Sequence, residues 1–319
     1  MGYVSYKVIV PGSLMLLGEH AVLHRKQAVV VAINRSLSVS LIPRTDRNIS
    51  IISKAFGKYL VALDKLKIVK PYDYVLAAVQ QYLPKMKSGC TLKISADFSA
   101  TIGLGSSAAV TVAILGVLYY WLNKKKINLI KLCNQAINVI RLVQGFGSGA
   151  DVAASIFGGI LAYKIQPLAI KKLGENLPLV AIYSGSKFAT SKVVSQVERR
   201  CQQFPRIFAN LYNTIDDCVK EGIAAIKNNQ WIRLGQIMNL HQGLQEALGV
   251  SNTILAELIF SLRKHPKIYG AKISGSGLGD CVIGLGQIKK NSFPENIIQK
   301  KSGVRQINIK ISPRGLVYL

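Results

Sequence analysis

From residue 108 to residue 122 the chain runs fifteen residues without a charge, and directly ahead of that run stands Gly103-Leu104-Gly105-Ser106-Ser107. An apolar run of this length falls short of the roughly 18–20 residues that cross a bilayer. The pattern therefore predicts a helix over about 106–122, buried on all sides, with Lys124–Lys126 placing cations at its C-terminus. Such a helix needs a large core around it. A chain of 319 residues that is 50% hydrophobic can supply one, and this composition excludes a disordered protein. At roughly 100–200 residues per domain, one large or two modest domains are expected.

The glycines and hydroxyls ahead of the helix form a candidate anion cradle. Glycine lets backbone approach a phosphate, and the N–H groups of a helix N-terminus point at it. Ser106 or Ser107 can cap the helix, bind phosphate or hold Mg²⁺; an ordinary Gly-Ser turn with a serine cap remains the alternative. The segment is not a Walker A loop, because no Gly-Lys-Ser/Thr follows. A second glycine-rich segment is Gly145-Phe146-Gly147-Ser148-Gly149-Ala150-Asp151, where Asp151 is the only acid between Asp97 and Glu175. An isolated acid there suits a base, or a cap for the short helix that follows. A third, Ser274-Gly275-Ser276-Gly277-Leu278-Gly279-Asp280, suits close approach to a ligand or a plain hairpin loop. Near the N-terminus, Glu19 and His20 are adjacent polar groups in the apolar surround of Pro11-Gly12-Ser13-Leu14-Met15-Leu16-Leu17-Gly18-Glu19-His20-Ala21-Val22-Leu23.

Apolar and β-branched runs predict strands at 3–10, 28–33, 37–42, 91–95, 160–165, 179–183, 271–273, 281–285 and 307–311, with a hairpin from 49–52 and 59–63. Helical periodicity predicts helices over 72–83, 128–143, 191–203, 206–227, 230–248 and 253–265, and a short one ending at Phe157. The stretch 166–178 reads as a linker. Strands and helices mix without strict βαβ repetition, which favours α+β.

Lys and Arg number 41 against 15 Asp and Glu, a net charge of +26. That surplus suits nucleic acid, an acidic membrane surface or an anionic small molecule. The five cysteines are scattered and odd in number, a poor disulfide framework, and with only four His a dense zinc site is disfavoured. No export signal is legible, and Tyr6 breaks the myristoylation pattern after Gly2. A reducing, cytoplasmic location is expected.

Taken in order, PGSLMLLGEHAVL, GLGSSAAVTVA, GSGADVAASIFGG and KISGSGLGDCVIG resemble the motifs of the GHMP kinase superfamily over nearly the whole chain. The resemblance implies a two-domain α+β kinase, with a ribosomal-protein-S5-domain-2-like half at 1–165 and a ferredoxin-like α/β sandwich at 166–319. It implies ATP phosphates on Gly103, Leu104, Gly105, Ser106, Ser107 and Ala108, Mg²⁺ on Ser107, and Asp151 as the base. Acceptor contacts would come from Ser13, Glu19, His20, Ser148, Gly149, Thr190, Gly275, Ser276 and Gly277. GEHAVL and the length resemble the mevalonate kinases, which phosphorylate the mevalonate 5-hydroxyl in isoprenoid biosynthesis. GSGADVAASIFGG and SGSGLGDC are more similar to the phosphomevalonate kinases, so an anionic acceptor of either kind is implied.

Three positions depart from the pattern. The lysine that follows Pro-Gly in both kinases is Ser13. The glutamate about eleven residues before the aspartate, a second Mg²⁺ ligand in mevalonate kinases, is Ile140. The proline opening the second motif is Ser99. Serine cannot supply a cation to Asp151 or to transferring phosphate, so Lys187 or Lys192, beside Thr190, is the expected substitute. A reading of a different class is a non-catalytic nucleic-acid-binding protein. The charge favours it. The absence of aromatic stacking motifs and the spread of Lys and Arg along the chain speak against it. No membrane partner is expected, and a homodimer stays open.

Overall fold

The computed structural model describes residues 5–99 and 102–319; Tyr3 and Val4 of the first expected strand lie outside the described residues. In chain order the strands are β1 (Tyr6–Leu17), β2 (Ala28–Pro43), β3 (Asn48–Ser53), β4 (Gly57–Ala62), β5 (Cys90–Ala96), β6 (Ile160–Lys164), β7 (Ala169–Gly174), β8 (Leu179–Tyr183), β9 (Ile268–Ser274), β10 (Cys281–Gly286), β11 (Arg305–Ile307) and β12 (Val317–Tyr318). The helices are α1 (Asp73–Gln80), α2 (Ser106–Asn123), α3 (Leu129–Gln144), α4 (Ala150–Phe157), α5 (Thr190–Gln203), α6 (Pro205–Lys227), α7 (Trp231–Ala247), α8 (Thr253–Lys264) and α9 (Ile297–Lys301).

The first sheet runs β12-β1-β2-β5-β3-β4, with the β6–β7 hairpin attached to β2. The two strands expected at 28–33 and 37–42 are one. Its first part, Ala28–Val31, pairs with β6, and Leu37–Pro43 pairs with β5. The sequence changes where the cover changes. Val29, Val31 and Ile33 face the main core, while Ala28, Val30 and Ala32 face Ala150, Ala153 and Ala154 of α4, so this half is apolar on both faces. Beyond Ile33, buried Leu37, Val39 and Leu41 alternate with serines on a wetter face. Helix α2 is long and apolar enough to cross a membrane by length and composition, but it packs against α1, α3, α4, β1 and β2, inside the core.

The second sheet is antiparallel, in the order β11-β8-β10-β9. Counted within that sheet, the strand order is 4-1-3-2, the ferredoxin-like arrangement. Ile182, Ile273 and Val282 pack against Leu255, Leu258, Ile259 and Leu262 of α8. Along the free edge of β9, where Asn239 Oδ1 and Gln242 Oε1 accept from the Ala271 and Ile273 N–H groups, α7 meets the strand backbone to backbone. A Cβ on Gly270 would lie 2.0 Å from the Gly235 carbonyl oxygen, and one on Gly235 would lie 2.4 Å from the Tyr269 carbonyl.

Two further expectations are corrected. The stretch 166–178 is not a linker: β7 occupies its middle and pairs antiparallel with β6. It is a charged edge strand with little burial, so apolar alternation does not reveal it. The strand expected at 307–311 is split. Ile307 ends β11 in the second sheet, Ile311 bridges to Ile33 in the first, and β12 then pairs with β1. The chain thus returns to the first sheet, and the expected boundary at 165/166 falls inside the β6–β7 hairpin.

The two glycines of α7 test the packing in opposite directions. Gly235→Ala should lower the melting temperature, by overpacking worth about 1–3 kcal/mol. Gly243→Ala, where an added Cβ meets nothing within 4 Å, should raise it through a helix-propensity gain of about 0.5–1 kcal/mol. Thermal denaturation of both variants checks this.

Candidate active site

The loop before α2 is pressed between the other two motifs. Gly105 has φ +69, and a Cβ there would lie 2.0 Å from Ser13 Oγ; Gly103 has φ +71, and a Cβ there would lie 2.5 Å from Asp280 Cβ. The Ser13 N–H donates to the Leu104 carbonyl at 3.1 Å, and the Cys281 thiol donates to the Ile102 carbonyl at 3.1 Å. Helix α2 has no side-chain cap, unlike α3, where Asn128 accepts from the Lys131 N–H. Its first turn, Ser106, Ser107 and Ala108, lines a cavity of about 200 Å³. An uncapped helix N-terminus at a cavity is suited to an anion.

Across this cavity stands Asp151, in the first turn of α4 and not its cap; Gly149 takes that position. Ser13 Oγ donates to Asp151 Oδ1 at 2.8 Å. Burial pushes the Asp151 carboxyl above its ordinary value, the Ser13 hydrogen bond pulls it back, and the charge of Glu19 pushes it up again; the net shift is upward. A raised carboxylate held at a cavity wall is suited to take a proton from an acceptor hydroxyl.

Glu19, at the end of the first motif, is 3% exposed and meets Lys272 of β9, which is fully buried. Lys272 Nζ donates to Glu19 Oε1 at 2.5 Å and also to the Ile273 carbonyl. Burial acts to raise the Glu19 carboxyl, but the Lys272 charge and the Lys272 hydrogen bond hold it below its ordinary value, so it stays ionised. His241 is pushed down to about 3 by burial and by the Lys272 charge. It is neutral, and its Nε2 accepts from the Gly18 N–H at 3.0 Å. Its 3.6 Å approach to Glu19 is therefore not an ion pair. Further bonds tie the first motif to the third. His20 Nε2–H donates to the Ser276 carbonyl at 2.9 Å, and Ser274 Oγ to the Met15 carbonyl at 2.9 Å.

Comparison with known proteins identifies the family. The family model for the GHMP kinases N-terminal domain matches residues 73–159, and that for the C-terminal domain matches residues 223–300. The chain belongs to the GHMP kinase family. A mevalonate kinase from Pyrococcus abyssi is 30% identical over 96% of this chain and 95% of its own length. The crystal structure of the Methanococcus jannaschii mevalonate kinase covers 97% of this chain and 98% of its own, at 22% identity and a TM-score of 0.77. That of the L. major mevalonate kinase in complex with R-mevalonate covers 93% of this chain and 89% of its own, at 25% identity and a TM-score of 0.72.

In this GHMP kinase most residues expected at the site line one cavity: Ser13, Glu19, His20, Gly103, Gly105, Ser106, Ser107, Ala108, Ser148, Gly149, Asp151, Lys187, Thr190, Gly275 and Ser276. Leu104 is buried beneath the loop and contributes its carbonyl to Ser13. Gly277 is turned away, with its Cβ position 2.4 Å from the Val250 carbonyl oxygen. Lys192 projects into a separate groove with Ser191, Gln196 and Arg199, so of the two lysines only Lys187 lines the cavity. Sequence reasoning missed Lys272 and Asp280 as site residues. Both sit inside the third motif, where the glycines drew attention. A lysine amid buried β-strand residues was the available signal for the first.

Removing one partner of the Glu19–Lys272 pair strands a buried charge. Lys272→Met should cost about 3–5 kcal/mol, and adding Glu19→Gln should recover most of it. Denaturant unfolding of the single and double variants checks the sign of the coupling.

Proposed function

We propose that this chain transfers the γ-phosphate of ATP to the 5-hydroxyl of mevalonate, giving 5-phosphomevalonate and ADP for isoprenoid biosynthesis. The observation that carries the reading is the placement of Asp151, buried and raised, across one cavity from the glycine-rich N-terminus of α2. ATP phosphates would lie on residues 103–108 and the acceptor hydroxyl beside Asp151. His20, Ser148, Thr190 and the 275–276 turn would wall the acceptor end. Phosphoryl transfer is mainly a matter of position and electrostatics, and both are served by a site built on helix and strand ends.

Among the described residues no three His, Cys, Asp or Glu side chains gather into a metal cage. Mg²⁺ does not need one, since it takes one or two protein oxygens together with substrate phosphates and water. Ser107 and the acids of the cavity fit that demand. The ion, when bound with ATP, supplies neutralisation of phosphate charge. Lys187 is the only Lys or Arg among the described cavity-lining residues. A phosphorylated acceptor would call for a further basic group, which favours mevalonate over phosphomevalonate.

The deciding experiment is ADP release with Mg-ATP and, separately, mevalonate, 5-phosphomevalonate, galactose and homoserine. Mevalonate should be turned over fastest; if it proves the poorest acceptor, the reading is wrong. Tight, salt-sensitive binding to nucleic acid with no ATP turnover would replace it with the other class. Asp151→Asn should lower kcat by about 10²–10⁴-fold with the fold intact.

The base works only when ionised, so kcat/KM should fall as pH drops through the Asp151 pKa. The upward shift places this acid limb above the usual carboxylate range. Ser13→Ala removes the hydrogen bond that pulls the pKa down, so it should move the limb to still higher pH. A pH–rate profile of both proteins reads this directly. Lys187→Ala should lower kcat more than Lys192→Ala does; equal effects would remove Lys187 as the cation near the transferred phosphate.

A further inference from the structure

Three carboxylates line the cavity, and two have obvious partners. Glu19 is neutralised by Lys272, and Asp151 takes the Ser13 hydroxyl. Asp280 is different. It is 7% exposed and lies against the phosphate loop, so close that Gly103 has no room for a side chain. Its Oδ1 has no hydrogen-bond partner among the described residues. Its backbone is pinned on both sides: its N–H donates to the Ser186 carbonyl and its carbonyl accepts from the Ser184 N–H, each at 2.8 Å. It also sits at φ +62, in the left-handed region where glycine is unstrained. The turn alone is thus met better by glycine, and what aspartate adds is a carboxylate held rigidly beside Gly103.

A carboxylate at that place is unfavourable toward a bare triphosphate, because like charges in a partly desolvated site repel strongly. Burial raises the Asp280 carboxyl, the Lys187 charge pulls it down and the Asp151 charge pushes it up, and the net is a shift up to about 6. The repulsion reverses if a divalent cation sits between carboxylate and phosphate. Helix α3 supplies no acid for this; Ile140 and Gln144 are what it brings to the cavity lining.

We propose that Asp280 is a divalent-cation ligand of the nucleotide-loaded site, taking the ion jointly with the nucleotide phosphates. This rests on the ATP-dependent reading above. It assigns metal binding to the third motif as well as to Ser107, and it explains why the glycine at 103 faces an acid.

The test uses Mn²⁺ as the probe, followed by electron paramagnetic resonance in the presence of the non-hydrolysable ATP analogue AMPPNP. Full-length wild type is compared with Asp280→Asn and Asp280→Gly, both compatible with a left-handed backbone. AMPPNP affinity is also measured in EDTA. Both variants should lose Mn²⁺ affinity by about tenfold or more, while binding metal-free AMPPNP as tightly as wild type or more tightly. A Mn²⁺ affinity that stays within about twofold of wild type, or one that falls in parallel with metal-free affinity, overturns the role of Asp280 and leaves the kinase reading intact. Wild type that binds no AMPPNP with or without Mn²⁺ overturns both.

Discussion

The buried bond between Glu19 and Lys272 is the interaction on which the site depends. It joins the end of β1 to β9, and so the first sheet to the second, at full burial. Neither charge is tolerable alone in that environment, so the two sheets are held at one separation by a cost that rises steeply if they part. The hydrogen bonds from His20 and Ser274 then follow, because they span the same seam. With the seam fixed, Asp280 comes against Gly103 and Ser13 against Gly105, and the cavity takes its shape.

A chain carrying +26 keeps its reactive cavity almost free of basic side chains. The acids are handled by three different means: an ammonium for Glu19, a hydroxyl for Asp151, and an unfilled oxygen on Asp280. The surplus charge resides outside the cavity. At the cavity itself, specificity is left to shape and to the placement of individual groups.

Much of this was legible in the sequence, and for physical reasons. Strand β8 and the helices α5–α8 lie close to their expected bounds because apolar periodicity is a direct image of burial. The motifs located the cavity because glycine is demanded wherever backbone must approach closely. Edge strand β7 was hidden, since a charged edge carries no alternation. The continuity of β2 was hidden too, because its pattern changes from two-sided to one-sided burial midway. The partner of Glu19 was invisible for another reason. The two residues lie 253 positions apart, and pairing at such distance leaves no local trace.

The return of the chain to the first sheet has a mechanical consequence. The polypeptide leaves that sheet after β7 and comes back after β11, so two covalent connections join the halves where one would suffice for continuity. A single connection behaves as a swivel, free to bend and to turn. Two connections resist twisting of one half against the other, a covalent restraint that works in a different direction from the buried bond at the seam. The walls of the cavity, drawn from both halves, are thereby kept in one register.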